Sequence, residues 1–178
     1  MDPRAKKTIT ALRTALFRLL KTTTVDDITV TGLCREAGIN RRTFYLHYDN
    51  VLEVFNNYED QLASRVRQTL MAPSTTETNL IATFDQIFDE NLAGFTNLCF
   101  NHRQERLIQA LNEMLFTTML SIRSCQPLPQ DIITMRYASS GIVDVYVYWI
   151  NHQGDFSRQD LSKTVKRLVE RNLDLNTN

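Results

Sequence analysis

Arg41, Arg42 and Thr43 stand side by side directly after the short run Ala37, Gly38, Ile39 and Asn40. A guanidinium can donate two parallel hydrogen bonds to the O6/N7 edge of guanine, and a threonine can reach a base edge with its hydroxyl. Presented by the first turn of a helix, the triplet has the chemistry of a base reader. Tyr45 and His47 follow it and carry phenol and imidazole donors suited to phosphate oxygens, which hold register without reading sequence. Thr29 and Thr31 offer hydroxyl and backbone N–H donors to a further phosphate.

No grouping of comparable quality supports catalysis. His47, His102 and His152 are far apart, and His102 near Cys99 and Glu105 reads as a polar helix edge. Ser139, Ser140 and Gly141 lack the Gly-flanked strand turn of a nucleophile elbow, and there is no glycine-rich phosphate loop. Cys34, Cys99 and Cys125 form no C-x-x-C pair, so neither a metal site nor a disulfide framework is expected. The expectation is a protein that is not an enzyme and uses no cofactor or metal.

The elements that must position the triplet are helical. Five Gly and four Pro in 178 residues are too few turn residues for a sheet protein. Asp2 and Pro3 open a first helix over 3–21, with Ile9, Leu12, Leu16, Leu19 and Leu20 on its apolar side, and the β-branched run 22–24 ends it. Thr29 caps a short helix over 30–37, and Gly38 suits the left-handed residue that stops it. Asn40 caps the next, over 41–47, with Phe44 and Tyr48 facing the core. Asn50 with Glu53 forms a capping box for a fourth helix over 51–70.

Beyond it, Ser74 with Glu77 caps an amphipathic segment through Leu80, Phe84, Ile87 and Phe88, broken near Gly94. A short piece over 95–102 and a helix over 104–123 come next. Gln130 or Asp131 opens a helix apolar nearly all round, which implies burial on more than one side, and Gly154 ends it. Ser157 with Asp160 starts the last helix. Ser139, Ser140 and Gly141 are small enough to admit another helix closely. The fold class is all-α, with an N-terminal three-helix helix-turn-helix head at 1–50 and a C-terminal helical bundle at 51–178.

Charge follows the same division. Net charge is zero, yet residues 1–50 hold nine Lys/Arg against five Asp/Glu and residues 51–178 hold eleven against fifteen. A basic front and an acidic remainder suit one module on phosphates and a second with another task. The longest apolar stretch, 142–150, contains Asp144 and falls short of the roughly 20 residues a bilayer requires. With no apolar run near the amino terminus to serve as a signal peptide, a soluble cytoplasmic protein without a membrane partner is expected.

The stretch 29–48, TVTGLCREAGINRRTFYLHY, has the helix, tight turn and helix that place a second helix in the major groove. With the TTTVDDITV lead-in and the F-Y-x-H-Y exit it resembles the TetR family of transcriptional regulators over about the first 55 residues. Gly141, Ile142 and Val143 with Trp149, and the polar last helix, are similar to that family's dimerising end. The resemblance implies a homodimer whose heads occupy successive major grooves of an operator. It also implies a C-terminal domain that pairs subunits and holds a small apolar effector, whose binding separates the heads and relieves repression, the family default.

On that reading Thr29, Thr31, Arg41, Arg42, Thr43, Tyr45 and His47 bind DNA. Phe84, Phe88, Phe100, Met114, Met119 and Met135 line the effector pocket, since Met and aromatic side chains adapt to varied ligands. Ile142, Tyr146, Trp149, Leu161, Val165 and Leu168 form the dimer interface. Two positions depart from the family pattern: Val51 stands where a phosphate-binding lysine is usual, and Arg42 where a small residue is common. The first favours an alternative, a helical binding protein whose head has lost DNA affinity.

Overall fold

The computed structural model describes residues 2–76, 78–99, 105–123 and 126–174, with side chains through Arg171. Among the described residues there are nine helices and no strand, the all-α class expected. The chain divides into two compact units, Met1–Leu62 and Ala63–Asn178.

The first unit holds α1 (Pro3–Leu19), α2 (Val30–Ala37), α3 (Arg41–Phe44) and the first part of α4 (Val51–Leu70). Each start follows from a capping side chain that satisfies an otherwise orphaned N–H. Asp2 accepts from the Arg4 N–H at 2.9 Å, Thr29 from Gly32 at 3.1 Å, and Asn40 from Arg42 at 2.9 Å. Before α4, Asn50 accepts from the Glu53 N–H at 2.9 Å while the Glu53 carboxylate accepts from the Asp49 N–H at 2.6 Å. α1 stops at Leu19, two residues earlier than expected, where the Thr22 hydroxyl donates to the Leu19 carbonyl at 3.3 Å. Leu12, Leu16, Leu33, Phe44 and Phe55 are the buried centre of this unit.

The second unit contains the end of α4, then α5 (Leu80–Glu90), α6 (Leu92–Cys99), α7 (Glu105–Arg123), α8 (Pro129–Asn151) and α9 (Arg158–Asp174). α8 is its axis, packed by α6, α7 and α9. Three expectations change here. Gly94 does not break a helix: it is buried inside α6, and the break falls at Asn91, whose side-chain amide donates to the Ile87 carbonyl at 2.8 Å. The segment before α5 is capped later than residue 74. Asn79 precedes the helix and its side chain ties back to the Thr76 N–H and the Ser74 carbonyl, while Glu77 lies outside the described residues. Gly154 is not the stop of α8, which ends at Asn151. The α9 start is as expected, with the Ser157 hydroxyl donating to Asp160 at 2.6 Å and accepting from the Asp160 N–H at 3.1 Å.

One polar cluster fixes α5, α8 and α9 to each other. The Asp85 carboxylate accepts from the Tyr146 and Ser162 hydroxyls and from the Arg158 guanidinium, at 2.6 Å for the last. Arg158 also donates to Asp89 at 2.8 Å and lies over the rings of Phe88 and Tyr146. Burial works against the Arg158 charge, but the bonds to Asp85 and Asp89 outweigh it and hold the group firmly protonated. Burial, with the bond to Asp85, pushes the Tyr146 phenol above its ordinary value.

Candidate nucleic-acid interface

The turn between α2 and α3 sets the site. Gly38 takes φ 65°, ψ 31°, the left-handed conformation that costs other residues a Cβ clash, and the Ile39 N–H returns to the Cys34 carbonyl at 2.9 Å. Asn40 then starts α3 with Arg41 in its first turn. The α-helix is shorter than expected: after Phe44 the chain continues in a tightened turn, with Leu46 N–H bonded to the Thr43 carbonyl at 3.3 Å and His47 N–H to Phe44 at 2.9 Å.

Phe44 anchors this segment. It is completely buried, edge-on to Tyr45 at 5.4 Å, and Tyr48 beside it is also buried. Burial pushes the Tyr48 phenol up, and its hydroxyl donates to Asn57 at 3.2 Å. With these aromatics turned in, Arg41, Arg42, Tyr45 and Leu46 are turned out and exposed, and Thr43 and His47 lie half-buried at the edges. The Arg41 guanidinium lies over the Tyr45 ring at 5.9 Å and donates to its hydroxyl at 3.4 Å, a long bond that steers the arginine without tying it down. That contact raises the Arg41 pKa further. Thr29 and Thr31 are exposed at the start of α2, although the Thr29 hydroxyl oxygen already serves Gly32.

Val51 is buried in this unit, so no cation stands at that place. The start of α4 is instead closed by the Asn50 and Glu53 caps, and the carboxylates of Glu53 and the adjacent Asp49 disfavour a phosphate there. Among the described residues no group of His, Cys, Asp and Glu is arranged to hold a metal, and no helix is long and apolar enough to cross a membrane. Cys99 is buried, and burial pushes its thiol up to about 12, which disfavours the thiolate, while His102 and Cys125 lie outside the described residues.

In the second unit, Phe84 and Phe88 line an enclosed apolar space of about 10 Å³ with Phe95, Leu111, Val143 and Tyr146. That is no larger than a single water requires. Met114, Met119 and Met135 are buried but do not line it, and Phe100 lies outside the described residues. A larger groove of about 670 Å³ runs along α8 and α9, lined by Ile142, Leu161, Val165 and Leu168 together with Tyr137 and Gly141. Tyr146 and Trp149 do not face this groove. Tyr146 points to Asp85 and packs on Phe84 and Phe88, and the Trp149 indole donates to the Phe156 carbonyl at 3.1 Å. Gly141 was marked by its small size in the sequence, whereas Tyr137 was missed because a helix apolar nearly all round does not show which of its sides is left uncovered.

A helical first unit with a left-handed glycine turn between α2 and α3, followed by an all-helical second unit, is a fold found among solved structures of transcription regulators. No protein-family model matches the sequence, and no curated protein does; the likeness is to solved structures. One is NalD, the secondary repressor of the MexAB-OprM multidrug efflux pump in Pseudomonas aeruginosa, at TM-score 0.70 and 18% identity, covering 96% of this chain and 98% of that one. A second is a TetR transcriptional regulator from Streptococcus agalactiae, at TM-score 0.68 and 19% identity over 94% of this chain and 96% of that one. A third is the dihydroxyacetone kinase operon activator DhaS, at TM-score 0.65 and 15% identity over 94% and 97%. The chain has the fold of the TetR-type regulators.

Proposed function

We propose that the protein is a cytoplasmic, homodimeric transcription regulator that occupies an operator through residues 1–50 and uses residues 51–178 for pairing and regulation. The observation that carries this reading is the outward set Arg41, Arg42 and Tyr45 with Thr43 at its edge, held on and just after α3 by a buried Phe44 and a left-handed Gly38. Arg41, Arg42 and Thr43 read bases; Thr29, Thr31, Tyr45 and His47 hold phosphates. Repression is the simplest action of an occupied operator, although the fold also serves an activator, DhaS.

Pairing uses the groove face of α8 and α9, with Ile142, Leu161, Val165 and Leu168 as its floor and Tyr137 at its edge. Gly141 supports this: it is exposed and a Cβ there would meet nothing within 4 Å, leaving room for a second copy's helix. An apolar effector would bind among Phe84, Phe88 and their neighbours. The space there is closed, and drug-sized ligands occupy roughly 300–1,000 Å³, so the effector must bind by opening the core and thereby favour a second state.

Gel-shift titration of DNA upstream of the protein's own gene, alongside selection from random duplexes, tests the reading. Sequence-preferring binding at moderate salt is expected, and its absence across all candidates overturns the DNA-reading role. Arg41→Ala is expected to relax discrimination at one base pair by about 1–3 kcal/mol. Equal weakening on every sequence would remove Arg41 from the base readers.

A further inference from the structure

One outward side chain of the reading segment has no assigned part. Leu46 is 74% exposed, between Tyr45 and His47. Arg42 and Leu46 are both exposed while Phe44 and Tyr48, which alternate with them, are buried, so the exposed pair turns away from the core. The 3.3 Å bond from the Leu46 N–H to the Thr43 carbonyl holds it in the tightened turn that follows α3. A single exposed leucine is ordinary on a protein surface. Its company is not: the surrounding face is committed by Arg41 and Arg42 to a polyanion, and a hydrocarbon side chain offers a phosphate oxygen nothing. On the floor of a major groove one group does complement it, the C5-methyl of thymine, which displays no hydrogen-bonding atom and is read by apolar contact.

We propose that Leu46 is a specificity-determining residue of the head that reads a thymine methyl group beside the base pairs engaged by the arginines. The proposal rests on the DNA-reading role of the head. Its test begins with the full-length protein and its preferred duplex selected from random sequence. Each thymine of one half-site is then replaced singly by deoxyuridine, which lacks only the methyl, and binding is compared for the native protein and Leu46→Ala.

At one thymine the replacement should weaken the native protein roughly fourfold, the factor for losing burial of one methyl-sized group, and leave Leu46→Ala unaffected. Leu46→Asn should shift the base selected at that same position. Because the side chain is exposed, both variants should keep the native melting temperature and circular dichroism. Equal sensitivity to deoxyuridine in both proteins, or uniform weakening by Leu46→Ala on all sequences, overturns the proposal. So does selection of a motif by Leu46→Ala identical to the native one, the result expected if Leu46 instead meets a protein partner. If the native protein selects no sequence, the DNA-reading role fails, and this proposal with it, at the selection step before any deoxyuridine is used.

Discussion

The outward faces of α3 and α8 are both open to solvent, and they are made of different materials. On α3 and the turn that follows it the exposed residues are two arginines, a tyrosine and one leucine around a buried phenylalanine. On α8 they include Ile133 and Tyr137, 69% and 75% exposed, with Ser140 and Gly141 between them and Asp144. A cationic face with hydrogen-bond donors suits a polyanion whose counterions it displaces. An apolar face with small residues suits another protein surface that excludes water. The first 50 residues are net basic and the remainder net acidic, so a net charge of zero conceals two portions of opposite sign.

The contrast breaks most severely at Phe44. Phe44→Ala removes the buried anchor of the reading face and should destabilise the first unit by about 3–5 kcal/mol. DNA binding should vanish while the oligomeric state in sedimentation velocity stays native. Loss of both together would mean that the two faces are not separately maintained. Tyr137→Asp makes the converse break, placing a charge on the apolar face at an expected cost of about 2–4 kcal/mol in self-association. The variant should sediment as a monomer with native helicity, and its operator affinity should fall because two half-sites are no longer engaged by one linked pair of heads. A native dimer in this variant would remove the groove from the pairing surface.

Gly38→Ala sharpens the comparison on the reading side. Space is not the obstacle, since a Cβ there would meet nothing within 4 Å; the left-handed φ is. The expected cost is about 1–2 kcal/mol, read as a lower melting temperature of the head. The start of α3 should shift with it and weaken operator binding, without effect on self-association.

The signals that were legible beforehand are short-range. Asp2, Thr29, Asn40 and Asn50 act as caps within three residues of their partners, and Gly38 is demanded by one φ angle. Gly94 misled because the intrinsic helix cost of a glycine, about 1 kcal/mol, is overridden when the residue is buried in a packed helix. The side of α8 used by Tyr146 and Trp149 was not legible for a related reason. A helix apolar nearly all round has no single face in its pattern, and Tyr146 is drawn inward by Asp85, 61 residues away, and Trp149 by the Phe156 carbonyl. Leu46 escaped notice because nothing in residue type marks an exposed leucine as different from a core one.

The smallest expected effect concerns how the reading face divides its labour. Tyr45→Phe keeps the ring under the Arg41 guanidinium and deletes only the hydroxyl, whose 3.4 Å contact with Arg41 is already long. If Tyr45 serves a phosphate, every duplex should bind more weakly by about 0.5–1.5 kcal/mol, with the order of preference among sequences unchanged. If its hydroxyl matters chiefly by steering Arg41, the loss should instead concentrate on duplexes carrying the Arg41 base pair and should disappear in an Arg41→Ala background. A double-mutant cycle across a small panel of single-base variants separates the two. A coupling near zero keeps holding and reading as distinct jobs of neighbouring side chains; a coupling close to the full Tyr45→Phe effect merges them into one.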